Sequence, residues 1–135
     1  MIVSREKVEL SNPTAVGGHL RQILNKEDGL SREREHFWVI TLSTSNKVKF
    51  VELVSLGTLN ASLVHPREVF RRAIKGGACS IIVGHNHPSG NCTPSQEDIK
   101  LTNQLKEAGD IIGISVLDHV VIGDRTFSFK EEGLI

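Results

Sequence analysis

The chain has 135 residues, the length of about one ordinary domain, which can bury enough apolar surface to fold without a second one. Apolar residues make up 39% and charged residues 24%, a balance that points to a packed globular core and away from disordered, fibrous and membrane-spanning classes. Sixteen basic residues match sixteen acidic ones, so the whole-molecule field that gathers nucleic acid or anionic membrane is missing and only local basic patches remain.

Met1 to Leu10 mixes charged with apolar residues and contains no uninterrupted apolar segment, so it reads as neither a secretory signal nor a membrane span. Residues 1–11 are therefore taken as an N-terminal extension, residues 12–135 as one domain, and the location as cytoplasmic. The spacing predicts a helix over 12–26: Asn12 suits the cap, Pro13 the first turn, and Val16, Leu20, Ile23 and Leu24 recur at helical intervals. Gly17 and Gly18 work against it. After a charged stretch, Ser31 to Glu35, the runs HFWVITLST and VKFVELVSL read as two strands joined by a short polar turn, a hairpin.

HPREVFRRAIKGG reads as a helix begun by Pro66 and stopped by Gly76 and Gly77. The apolar run from Ala78 to Gly84 predicts a strand buried on both faces, with Cys79 a small buried residue of it. The next helix is expected to start at Thr93 as cap, with Pro94 first, Gln96 completing a capping box and Gly109 ending it. GISVLDHVVIG and RTFSF supply two further strands. Helices alternating with strands suit an α/β domain whose central sheet is covered on both faces.

The chemistry concentrates in HNHPSGNCTPSQED, which follows the buried strand and runs into the first turns of a helix. Residues two apart in extended chain point to one side, so His85 and His87 can offer two imidazoles to one ion, and Asp98 can be folded back as a third ligand. Three protein ligands leave a position for water, the arrangement of catalytic zinc. Hydrolysis further requires a proton acceptor and a donor to the developing oxyanion. Ser95, about one helical turn from Asp98, is a candidate donor, although a polar helix-terminal residue explains it equally well. For the base, spacing does not decide between Glu35 and Glu52.

The order His85-x-His87, Ser95 and Asp98 resembles the JAMM (MPN+) metallopeptidase motif, H-x-H-x7-S-x2-D with an upstream glutamate, at every spacing. The phrases EHF, GTLNASLVHPRE, GHNHPSG, TPSQED and LDHVVIG resemble the bacterial RadC family from roughly residue 12 to the end. That resemblance implies a three-layer α-β-α fold with a mixed central sheet, similar to cytidine deaminases. It implies a zinc-dependent amide hydrolase acting on a polypeptide, with His85, His87 and Asp98 on Zn2+, Glu35 as base and Ser95 at the oxyanion. Full-length members carry an N-terminal helical domain that is not in this chain, so partner functions residing there do not carry over.

Plainer readings cover the rest. Cys79 and Cys92 lack CxxC spacing and read as free thiols, Cys92 as a bystander beside the histidines. His19, His36, His65 and His119 read as structural, with His119 also placed to support the site from behind. Gly84 and Gly90 fit turns, because no phosphate-loop motif is present, and deamination would require H-x-E with P-C-x-x-C. The rival to a hydrolase is a DNA repair or replication module with structural zinc, its phosphate-binding surface being Arg67, Arg71 and Lys75, with Arg72 alongside.

Overall fold

A computed structural model of the chain describes residues 1–57 and 64–135; residues 58–63, part of the GTLNASLVHPRE phrase, lie outside the described residues. In chain order the elements are β1 (Ile2–Ser4), α1 (Pro13–Asn25), α2 (Gly29–Arg32), β2 (His36–Leu42), β3 (Val48–Leu56), α3 (Pro66–Lys75), β4 (Ser80–Asn86), α4 (Gln96–Ile112), β5 (Ser115–Ile122) and β6 (Thr126–Ser128). The strands form one mixed sheet in the order β1-β3-β2-β4-β5-β6. Among the described residues only β4 and β5 pair in parallel, and α4 is the crossover between them.

The expected hairpin is the β2–β3 pair. Strands β2 and β4 are buried along their whole length, because both lie in the middle of the sheet with helices on each face. Side-chain alternation divides the core in two. Trp38, Ile40, Leu42 and Ile82 pack with Val16, Leu20 and Ile23 of α1. Phe37, Val39, Ile81 and Val83 pack with Val69, Phe70 and Ala73 of α3 and with Leu101 and Leu105 of α4. The result is the three-layer α-β-α domain expected. At the N-terminus of α1 the Asn12 side chain accepts the Ala15 N–H at 2.9 Å, as the cap reading requires.

Three local expectations are corrected. The helix after the histidines is capped by Ser95 rather than Thr93: Ser95 and Asp98 form the capping box, while the Thr93 N–H is held in the preceding loop by the Asn91 side chain at 3.1 Å. That helix runs past Gly109 to Ile112, and Gly113, in the left-handed region at φ 86°, terminates it. Gly109 is a packing position, where a Cβ would collide with the Ile114 carbonyl. Cys79 is exposed, because it precedes the first residue of β4. Elements β1 and α2 are additions, too short to leave a periodic signal.

Three termini meet at one end of the sheet. Strand β2 begins where β4 ends, with Phe37 paired to His85, and α4 starts after the loop that leaves β4. This is the carboxyl end of the parallel pair, where open α/β sheets place their sites. Among the described residues no helix is long and apolar enough to cross a membrane.

Candidate metal centre

Glu35, His85, His87 and Asp98 each bring one ligand atom to this end of the sheet, and the four atoms lie within 4.8 Å of one another. His85 belongs to β4, and His87 prolongs its extended course through an N–H to Ile122 carbonyl bond of 2.9 Å, so the two rings project to the same side. Their Nε2 atoms are 2.9 Å apart. Asp98 Oδ2 lies 3.3 Å from His85 Nε2 and 3.2 Å from His87 Nε2, and Glu35 Oε1 is 3.9 Å from His85 Nε2. His85 is 1% exposed and His87 16%, so the cluster opens to solvent on the His87 side.

The loop after β4 is built to aim His87. Gly90 N–H donates to the His87 carbonyl at 2.9 Å, and Gly90 adopts φ 92°, a conformation that favours glycine. His87 Nδ1 stands 2.8 Å from the Asn91 carbonyl, which fixes the proton on Nδ1 and directs Nε2 inward. At the start of α4 the Ser95 hydroxyl accepts the Asp98 N–H at 3.1 Å, and Asp98 Oδ2 accepts the Ser95 N–H at 2.8 Å. The capping box therefore orients the carboxylate, and the Ser95 hydroxyl proton stays free for another acceptor.

Further groups support the ligands from behind. His85 Nδ1 lies 2.7 Å from His119 Nε2, His119 Nδ1 lies 2.5 Å from Thr102 Oγ1, and that hydroxyl donates to the Asp98 carbonyl at 2.7 Å. On the opposite face of β4, Asn86 accepts the His36 N–H at 2.5 Å and donates to the Arg34 carbonyl at 3.0 Å, gripping the chain on both sides of Glu35. Sequence reasoning weighed His119 mainly as core and missed Asn86 and Thr102. The available signal was spacing: Thr102 lies one helical turn beyond Asp98, and Asn86 takes the alternate face between two ligands.

The charge states follow from these contacts. Burial raises the Asp98 pKa, yet the His85 and His87 rings against its carboxylate, with the Ser95 N–H, outweigh it and hold the carboxyl well below the usual range. Burial pushes Glu35 up, against the pull of the two histidines. The hydrogen bond to Asp98 raises His87, and burial drives His119 well below the ordinary histidine value. Glu52 is elsewhere, paired with Arg72 at 3.5 Å, and Cys92 is not in the cluster. Two ring nitrogens whose other nitrogens face hydrogen-bond partners thus turn toward each other and toward two carboxylates. Such convergence of lone pairs asks for a cation, and two imidazoles with the Asp98 carboxylate, Glu35 standing beside them, fit zinc with a position left for water.

A family model described as RadC-like JAB domain matches residues 10–134. A UPF0758 protein of Desulforudis audaxviator (strain MP104C) is 58% identical over 103 residues, covering 76% of this chain and 45% of the relative. A UPF0758 protein of Rubrobacter xylanophilus (strain DSM 9941 / JCM 11954 / NBRC 16129 / PRD-1) is 49% identical over 126 residues, covering 93% of this chain and 53% of the relative. The chain spans about half the length of the curated relatives it matches. Their shared name assigns no activity.

Proposed function

The chain belongs to the RadC-like JAB domain family, and from that membership and the four converging ligand atoms we propose that it is a metal-dependent hydrolase, a zinc peptidase or isopeptidase. The convergence carries the reading, with His85, His87 and Asp98 as ligands and Glu35 as base. Zinc at such a site supplies Lewis acidity toward an amide carbonyl and makes water acidic enough to lose a proton near neutrality.

The protein's own groups do the rest. Glu35, with its carboxyl raised by burial, accepts the proton of the attacking water and returns it to the leaving amine. Ser95, whose hydroxyl proton the capping box leaves free, donates to the oxyanion. A cleft of about 460 Å³ that includes His87, with Arg21, Leu24, Asn86 and Asp124 among its other lining residues, is the place this reading assigns to the polypeptide beside the ligands.

The test pairs metal content with turnover on a peptide and isopeptide library. Zinc near one per chain in the native protein and none in the His85→Ala, His87→Ala double variant is expected, with Glu35→Gln retaining zinc and losing turnover. Undiminished turnover in Glu35→Gln would remove the base assignment. Equal metal content in native and double variant would remove the centre itself.

A further inference from the structure

We propose that His119 and Thr102 are positioning residues for the metal centre: they set the ring protonation of His85 so that its Nε2 lone pair, and not an N–H, faces His87, Asp98 and Glu35. This deepens the metal-centre reading above and rests on it.

The protons along this buried chain can be placed one by one. Thr102 Oγ1 is 2.7 Å from the Asp98 carbonyl oxygen. A carbonyl only accepts, and two oxygens at that distance with no proton between them repel, so the single hydroxyl proton of Thr102 lies there. The Thr102 oxygen must then accept from His119 Nδ1 at 2.5 Å, which places a proton on that nitrogen. His119 has no exposed surface and packs between Phe129, stacked at 4.6 Å, and Phe37, edge-on at 5.7 Å. A second proton would create a cation with no carboxylate in contact, which burial strongly disfavours. His119 Nε2 is therefore bare and accepts the Nδ1 proton of His85 at 2.7 Å. In its neutral form His85 then carries its one proton on Nδ1, and Nε2 is left as a donor atom for a metal.

The polarity cannot reverse, because the chain starts on a backbone carbonyl. It also closes on itself. The carbonyl belongs to Asp98, whose carboxylate stands 3.3 Å from the His85 Nε2 that the chain prepares. Two ligands from different elements, β4 and α4, are thus registered to each other through β5, with no reliance on the ion. Outer partners of this kind typically change metal affinity 10- to 100-fold when removed.

The experiment is side-chain nitrogen NMR of the histidine-labelled, metal-free full chain at about pH 8, above the ordinary histidine pKa, combined with zinc competition against a chelator. His85 is expected with Nδ1 protonated and Nε2 bare. Thr102→Val, isosteric but unable to accept, should let His119 reverse its tautomer and put a proton on His85 Nε2. It should weaken zinc binding by about 10- to 100-fold. Thr102→Ser should restore both readouts, which a loss of packing alone would not do. His85 carrying its proton on Nε2 in the unaltered chain would overturn the proposal, as would a Thr102→Val variant with unchanged tautomer and zinc affinity. The unaltered-chain spectrum decides even if a variant fails to fold. Because neither readout needs turnover, a chain with the expected tautomer and zinc affinity but no amide cleavage would remove only the hydrolase reading.

Discussion

Asn86 stands between the two candidate ligands His85 and His87 in sequence and contacts neither ring. Alternation along β4 sends it to the α1 face, where its amide grips Arg34 and His36 and so fixes the backbone that carries Glu35. Asn86→Ala should therefore leave zinc affinity near normal and lower kcat by about 100-fold through misplacement of the base. A steady-state assay on the best library peptide checks this, with KM little changed. His19 yields a second residue-scale prediction. Its ring is buried, and burial lowers its pKa from 6.5, opposed by Glu6 and assisted by Lys26. The folded state binds the proton less readily than the unfolded chain, so the stability is fully present above the ordinary histidine value and is lost as pH falls through and below it. Denaturant midpoints measured at pH 7.5 and pH 5 should differ less in His19→Leu than in the unaltered protein.

At the scale of elements, the first turn of α4 joins stability to chemistry. Ser95 caps the helix, and on the proposed function its hydroxyl proton serves the site as well. Ser95→Ala should cost about 1 kcal/mol of stability, whereas Ser95→Gly, a tolerated cap, should cost only a few tenths. If the hydroxyl serves the oxyanion, both variants should lose turnover to the same degree, by about 100- to 1,000-fold; thermal melts beside the peptide assay separate the two roles. The long elements were legible because β2 and β4 are continuous apolar runs, α1 has its Asn12 cap and helical periodicity, and α3 has Pro66 at its start and glycines at its end. The start of α4 was not. Thr93 with Gln96 and Ser95 with Asp98 are overlapping capping boxes of similar local merit, and the choice between them is made by tertiary contacts: Asn91 holds Thr93 in the loop, and Asp98 is wanted by two histidines. Gly109 misled for a related reason, since its small size answers the Ile114 carbonyl rather than a helix stop.

For the molecule as a whole, the candidate cluster was legible where its residues lie close in sequence; of the groups behind it His119 was noted and Thr102 was not, because a buried threonine inside α4 leaves no local signal. Charge bears on the rival DNA-binding reading. The net charge is zero, and on α3 Arg71 is paired with Glu68 at 3.1 Å while Arg72 meets Glu52 at 3.5 Å, so the basic stripe is partly neutralised. Duplex DNA affinity at physiological salt is expected to be no tighter than about 10⁻⁴ M, with a shallow salt slope. Tight binding that Arg67→Glu with Arg71→Glu abolished would restore that reading. The site's placement supplies a further prediction. Its four groups come from the start of β2, the end of β4 and the start of α4, separated by up to 63 positions from Glu35 to Asp98. An ion held there ties together elements that the unfolded chain leaves far apart, and it binds the unfolded chain weakly. Zinc at 100 times its dissociation constant should add about 2.7 kcal/mol of stability, and each kcal/mol moves Tm by about 3 °C in a domain of this size. A calorimetric scan should therefore show a rise of roughly 8 °C with zinc, removed by a chelator and missing in the His85→Ala, His87→Ala variant. An equal rise in that variant would mean that the stabilising ion sits somewhere other than between β4 and α4.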